Sequence, residues 1–287
     1  MRTCGLRYAA LPLVVLALVA APTAMASRDA GIAALQVALH ARGLYAGSID
    51  GVRGPATTRA IMRFQRRVGL TPDGVAGRRT RLALGSYGRH LLGTRPLTRG
   101  ASGWDVAALQ FLLAWHGFPS ATIDGGLGVH TYRALRRFQR WAGLRPDGVA
   151  GAGTLAALRR PHPRSPFALT WPVDAPVGDR FGPRGTRFHA GIDFVADYGT
   201  PVAAAASGRV VFAGHAPGWG KMVVVSHTAG VRTLYAHLSS IAVRLGQTVG
   251  TGTRLGAVGA TGEATGPHLH FEGRLRGAAV DPMTALS

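Results

Sequence analysis

GPHLHFE, residues 266–272, places His268 and His270 on either side of Leu269 and ends on Glu272. Side chains alternate between the two faces of an extended strand, so His268, His270 and Glu272 share one face while Leu269 and Phe271 share the other. The apolar pair predicts a strand anchored on a core, with two imidazoles side by side over whatever lies opposite. By itself an H-x-H triplet also fits a half-buried strand with hydrogen-bonded histidines. Metal chemistry needs further donors from elsewhere in the chain.

Working back from this strand, the sequence reads as short strands punctuated by glycine: Val202–Ala206, Arg209–Ala213, Met222–Ser226, Arg232–His237 and Arg254–Val258. An antiparallel β domain is expected. In FHAGID, His189 and Asp193 stand four apart, an even spacing that puts both on one side of an extended backbone, with Gly191 allowing close approach between them. LYAHL repeats the alternation, with Leu234, Ala236 and Leu238 expected inward and Tyr235 and His237 outward. Imidazole nitrogen and carboxylate oxygen both ligate zinc, and three protein ligands with a fourth position open are the pattern of a catalytic site. His40, His90, His116, His130, His162, His215 and His227 match no ligand spacing and read as ordinary surface or core residues.

The front half repeats itself at an offset of 74 residues. Leu35-Gln36 returns as Leu109-Gln110, Ile49-Asp50-Gly51 as Ile123-Asp124-Gly125, Arg63-Phe64-Gln65 as Arg137-Phe138-Gln139, and Asp73 to Gly77 as Asp147 to Gly151. A duplicated domain without insertions follows. In each copy the apolar spacing predicts three short helices: Ile32, Leu35 and Leu39 stopped by Gly43, then Ile61, Phe64 and Val68 after Pro55, then a brief helix around Thr80–Leu84. Thr94–Ser102 reads as the joint between copies, and the proline-rich PHPRSP of 161–166 as a linker to the β domain.

Arg2 and Arg7 precede an apolar run from Ala9 to Ala21, and Ala24-Met25-Ala26 supplies small residues before Ser27, so residues 1–26 read as a signal peptide. No membrane span is expected after its cleavage. The single cysteine, Cys4, lies inside that segment, which leaves His, Asp and Glu to hold any metal. The chain carries a formal charge of +20, concentrated at the front: residues 27–164 hold 21 Arg and 6 Asp (21 − 6 = +15), whereas 165–287 hold 10 Arg and Lys against 7 acids (10 − 7 = +3). Such a balance calls for a polyanion. In an exported chain without a nucleic-acid reading motif, anionic cell-wall polymers answer it and nucleic acid does not.

The repeats closely resemble the peptidoglycan-binding domain family. Its D-G-x-x-G-x-x-T element stands here as Asp50 to Thr57 and Asp124 to Thr131, each followed by F-Q at Phe64-Gln65 and Phe138-Gln139. Most matched residues are turn or core residues, so the likeness speaks to the fold more than to a ligand groove. The later motifs, in their order, resemble the M23 family of zinc endopeptidases, the lysostaphin-like wall-peptide hydrolases. H-x-x-x-D and H-x-H stand here as His189 to Asp193 and His268 to His270, within a stretch from about Phe181 to Pro282.

That resemblance implies one Zn2+ per chain, held by His189, Asp193 and His270, and leaves His268 and His237 for catalysis, with His268 as the base. Tyr235 is a lesser candidate, and Glu272 either supports His270 or is solvated. The chain is thus expected to be a multidomain α+β protein: a signal peptide at 1–26, three-helix bundles at 27–93 and 94–160, a linker at 161–170 and a mainly antiparallel β metallopeptidase domain at 171–287. The function implied is a secreted or periplasmic endopeptidase that cuts peptide stems or crosslinks of peptidoglycan. The alternative is a non-catalytic wall-binding regulator or amidase activator of the same architecture.

Overall fold

The computed structural model describes residues 28–287, so the expected signal peptide lies outside the described residues. The helical part comprises α1 (Ala30–His40), α2 (Pro55–Arg67), α3 (Arg78–Ala83), α4 (Ser86–Arg89), α5 (Trp104–Trp115), α6 (Val129–Trp141) and α7 (Ala152–Leu158). Asp29 caps α1 by accepting from the Ile32 N–H, and Pro55 opens α2 at a position whose N–H has no helical partner to lose. Val129 takes the same place in α6 without that advantage. The extra helix α4 is a single turn, too short to leave a helical period in the sequence.

A buried amide explains the repeat. Gln36 is fully buried, and its amide nitrogen lies 2.6 Å from an Asp50 carboxylate oxygen and 3.2 Å from both the Val52 carbonyl and the Thr57 hydroxyl. Its amide oxygen accepts from the Gly51 N–H at 3.0 Å. Gln65 holds Asp73, Gly74, Val75 and Thr80 in the same way, Gln110 holds Asp124, Gly125, Gly126 and Thr131, and Gln139 holds Asp147, Gly148, Val149 and Thr154. In each loop the glycine after the aspartate sits at positive φ, from 72° to 80°, where a side chain would be strained. The recurring Q, D-G and T are therefore the parts of one loop clasp, used twice in each copy. The two copies pack through α1 and α5, which share a core containing Leu35, Leu39, Ala108, Phe111 and Trp115.

The β part contains β1 (Gly182–Arg184), β2 (Arg187–His189), β3 (Ile192–Phe194), β4 (Pro201–Ala203), β5 (Gly208–Ala216) and β6 (Gly220–Ser226). It continues with β7 (Val231–Leu238), β8 (Ser240–Ile241), β9 (Thr248–Val249), β10 (Arg254–Ala257), β11 (Leu269–Leu275) and β12 (Ala278–Val280). A large antiparallel sheet runs β12-β11-β7-β6-β5-β9, with β3 added beside β11, and a small sheet runs β4-β10-β8. Val202, Leu255 and Val258 join Val223, Val225, Tyr235, Leu269 and Phe271 in one buried cluster between them.

The helical part grips one hairpin of the β part. At the β1–β2 turn, the Gly185 carbonyl accepts from the Ile49 N–H at 2.9 Å and the Thr186 carbonyl from the Ile123 N–H at 2.7 Å. Ile49 and Ile123 are equivalent positions of the two copies. Beside them the Trp115 ring meets Phe188 and Phe181 edge-on, at 5.2 and 6.0 Å between centroids.

Gln110→Leu keeps the volume of the clasp but takes the acceptor from the Asp124 and Gly125 N–H groups, the latter buried away from water. Chemical denaturation should show a loss of at least about 2 kcal/mol. An unchanged midpoint would mean that the clasp does not hold the loop.

Candidate metal centre

Three segments deliver the candidate ligands. His189 closes β2, Asp193 is the middle residue of β3, and His270 is the second residue of β11. Strand β11 lies between β3 and β7, and its register sets His270 directly across from Asp193 on one side and Ala236 on the other. Leu269 and Phe271 turn into the core, as alternation requires, which leaves His270 on the opposite face. His189 and Asp193 do not meet by alternation along a single strand. The chain breaks at Ala190-Gly191, and β2 and β3 belong to different sheets. Gly191 serves the approach of β11 instead: a Cβ there would come 2.4 Å from the Phe271 carbonyl oxygen and 3.0 Å from His270 Cε1.

The three groups converge at short range. His270 Nδ1 lies 3.0 Å from His189 Nε2 and 2.8 Å from Asp193 Oδ1, and the latter two are 3.1 Å apart. Their other atoms are already engaged. His189 Nδ1 donates to the Arg180 carbonyl at 3.0 Å, His270 Nε2 faces Glu272 at 3.2 Å, and Asp193 Oδ2 accepts from Arg184 at 2.8 Å. Each group is thus turned so that one ligand atom, His189 Nε2, Asp193 Oδ1 or His270 Nδ1, points at a common spot. A divalent cation satisfies all three, and two nitrogens with one oxygen suit zinc.

The electrostatics agree with that crowding. Burial would raise the Asp193 carboxyl, but hydrogen bonds and charge from His189 and His270 outweigh it and hold the group far below the usual carboxylate range. Burial pulls His270 down, while Asp193 and Glu272 raise it above its ordinary value. Glu272 is fully buried between His270 and Arg274, so of its two readings the solvated one is excluded.

His237 and His268 stand beside this triangle, their rings 4.7 Å apart, with His237 6.0 Å from His270. His268 Nδ1 donates to the Gly266 carbonyl at 2.9 Å and His237 Nδ1 to the Thr261 carbonyl at 2.8 Å. A carbonyl can only accept, so both rings carry a proton on Nδ1, and the neutral form of each ring has its lone pair on Nε2. Together with His189, Asp193, His270 and Trp219 they line a cleft of about 710 Å³.

Alternation along LYAHL fails at one residue. Tyr235 does not face outward: it is fully buried in the core against Phe271, its hydroxyl accepts from the Ala205 N–H at 2.8 Å, and Thr233 Oγ1 lies 2.9 Å away. Burial pushes its pKa up to about 12. Ala236 takes the site face, and His237 would then return to the core. Its φ of 61° turns it back toward the site, which leaves Leu238 in the core. A left-handed conformation in a non-glycine residue costs of order 1–3 kcal/mol, and histidine tolerates it better than most. Arg184 and Trp219 were not singled out by spacing. Arg184 steadies Asp193, and the Trp219 ring lies 5.0 Å from that of His270.

The family model described as "Peptidase family M23" matches residues 187–282, and the one described as "Putative peptidoglycan binding domain" matches residues 28–84 and 102–158. The chain carries a peptidase family M23 domain behind two peptidoglycan-binding domains. The DD-carboxypeptidase/endopeptidase Mpg of Neisseria meningitidis serogroup B is 45% identical over 114 residues, 39% of this chain and 26% of that protein. The peptidoglycan DD-endopeptidase ShyA of Vibrio cholerae is 39% identical over 170 residues, 55% of this chain and 38% of that protein. The murein hydrolase activator NlpD of Salmonella dublin is 36% identical over 120 residues, 42% of this chain and 31% of that protein. The chain therefore spans well under half the length of each of these relatives.

If Tyr235 belongs to the core of the M23 domain and not to its cleft, Tyr235→Phe should lower stability by about 1–3 kcal/mol through the orphaned Ala205 N–H. Metal content, measured by mass spectrometry, should stay at the wild-type level; a fall in metal content would return Tyr235 to the site.

Proposed function

We propose that this chain is an exported zinc-dependent endopeptidase that hydrolyses peptide stems or crosslinks of bacterial peptidoglycan, held on the wall by its two binding domains. The observation that carries the reading is the convergence of His189, Asp193 and His270, whose ligand atoms all lie within 4.8 Å of one another. The endopeptidases among the relatives support the same substrate class. The basic helical part suits anionic cell-wall polymers as further partners.

His189 Nε2, Asp193 Oδ1 and His270 Nδ1 would hold one zinc ion. Zinc in such a site supplies Lewis acidity, which acidifies water and polarises a carbonyl. The remaining steps belong to the two neighbouring imidazoles. His268 presents a lone pair at Nε2 and takes the proton of the attacking water, then returns it to the leaving amine. His237, once protonated at Nε2, donates to the oxygen on which negative charge develops. Arg184 and Glu272 hold Asp193 and His270 in the orientation that this requires. The β1–β2 hairpin, fixed by both binding domains, positions His189.

A second reading is favoured by the similarity to NlpD: a wall-bound protein that activates a separate hydrolase. Purified protein incubated with defined peptidoglycans, with and without chelator, separates the two. The endopeptidase reading expects mass spectrometry to detect released peptide fragments that disappear with chelator. It also expects His268→Ala to keep about one zinc per chain while kcat falls ~10²–10⁴-fold, and His189→Ala to lose the metal as well. A zinc-loaded wild type that releases nothing from any of these substrates would favour the activator.

A further inference from the structure

The cleft continues past the two candidate histidine ligands. Beside His189 and His270 a second cavity of about 320 Å³ is walled by Glu272 and Arg274 of the β part and by Gly117, Pro119 and Arg137 of the second binding domain. It adjoins a hollow of about 500 Å³ lined by Arg137, Arg140, Trp141 and Arg276. Both folds build this seam. Ala279 N–H donates to the Gly117 carbonyl at 3.1 Å, and Trp141 Nε1 donates to the Leu275 carbonyl at 3.2 Å.

Four guanidinium groups face it. Arg137 and Arg140 are three apart on α6 and so share a face, while Arg274 of β11 and Arg276 of the turn after it stand on the other wall. The one carboxylate present is already used, since Glu272 meets His270 with one oxygen and Arg274 with the other. Among the described residues, Arg137, Arg140 and Arg276 make no ion pair within 4.0 Å. Arg137 donates to the Pro119 carbonyl at 3.3 Å and otherwise keeps its fork free. Burial and then the nearby Arg274 lower its pKa, although part of the side chain stays open to solvent. Like charges gathered in a partly enclosed seam repel unless an anion answers them.

We propose that this seam is a binding site for acidic peptide, with the carboxylates of a chain that crosses the His189–His270 cleft gripped between Arg137, Arg140, Arg274 and Arg276. Two features favour peptide over a phosphate polymer. The inner end of the seam opens beside His189 and His270, so its occupant is continuous with whatever chain reaches them. The half-buried Trp141 indole gives apolar surface for the aliphatic stems that carry carboxylates, which a polyphosphate lacks. Guanidinium forks match carboxylate geometry with two parallel hydrogen bonds. The inference deepens the endopeptidase reading by naming a determinant of its substrate, but binding does not require that the peptide be cut.

Repeat symmetry supplies the control. Arg63 and Arg66 of α2 stand 74 residues before Arg137 and Arg140 and line neither cavity. Calorimetry on the full chain stripped of metal, with hexa-L-glutamate, hexa-L-glutamine and inorganic hexaphosphate as probes, reads binding without any hydrolysis. Hexaglutamate should bind the wild type and R63Q/R66Q within about twofold of each other and R137Q/R140Q at least about tenfold more weakly, while hexaglutamine binds none. Circular dichroism should show all three proteins folded alike. Equal losses in both double variants would reduce the site to diffuse surface charge and overturn the proposal. So would hexaglutamate binding unchanged in R137Q/R140Q, or a loss confined to hexaphosphate. Because no activity enters, a failure of the endopeptidase reading leaves this result readable.

Discussion

Strand β11 is under two demands at once, and the pleat reconciles them. Leu269 and Phe271 must fill the core, where full burial contributes of the order of 1.5–3 kcal/mol for each. That fixes which way His270 points. A slip of one residue would send the imidazole into the core and expose both apolar side chains. With the register locked, Asp193 on β3 is delivered opposite His270 by backbone pairing alone. The hydrophobic core therefore sets the geometry of the proposed ligands more than any polar contact between them.

His189 reaches the same point by a different route, and the binding domains take part in it. It ends the β1–β2 hairpin, whose turn is tied to Ile49 of one domain and Ile123 of the other. Trp115 packs the same hairpin against the helical core through Phe181 and Phe188. A loosely tethered pair of domains would not show equivalent residues of both copies bonded to successive carbonyls. The helical part is instead a wall of the second cavity beside His189 and His270 and a support for the hairpin that carries His189.

Much of this was legible in the residues. The alternation in GPHLHFE gave the right faces for Leu269, His270 and Phe271, and the 74-residue offset gave the duplicated helical fold. Where the reading went astray, a local backbone event was the cause. Period-two logic put Tyr235 outward beside His237, but the positive φ at His237 breaks the alternation, and no side-chain pattern announces a left-handed residue within a strand. The even spacing of His189 and Asp193 suggested a shared strand, whereas they lie in different sheets. Gly191, read as room between those two, is room for β11. Arg184 depends on a pairing between β1 and β3 that a linear spacing does not encode, whereas the place of Glu272 was legible, since His270 and Arg274 each stand two residues from it on β11. The four glutamine clasps were visible as recurring letters, but their chemistry depends on amides buried 8 to 15 residues from the loops they hold.

The account stands on His189, Asp193 and His270 acting together on one ion. A crystal of the zinc-loaded protein, with anomalous data collected on either side of the zinc edge, tests this most directly. The prediction is a single zinc peak ~2.0–2.2 Å from His189 Nε2, Asp193 Oδ1 and His270 Nδ1, with one coordination position open to the cleft beside His237 and His268. Zinc bound elsewhere, or a fourth protein side chain filling the open position, would contradict it.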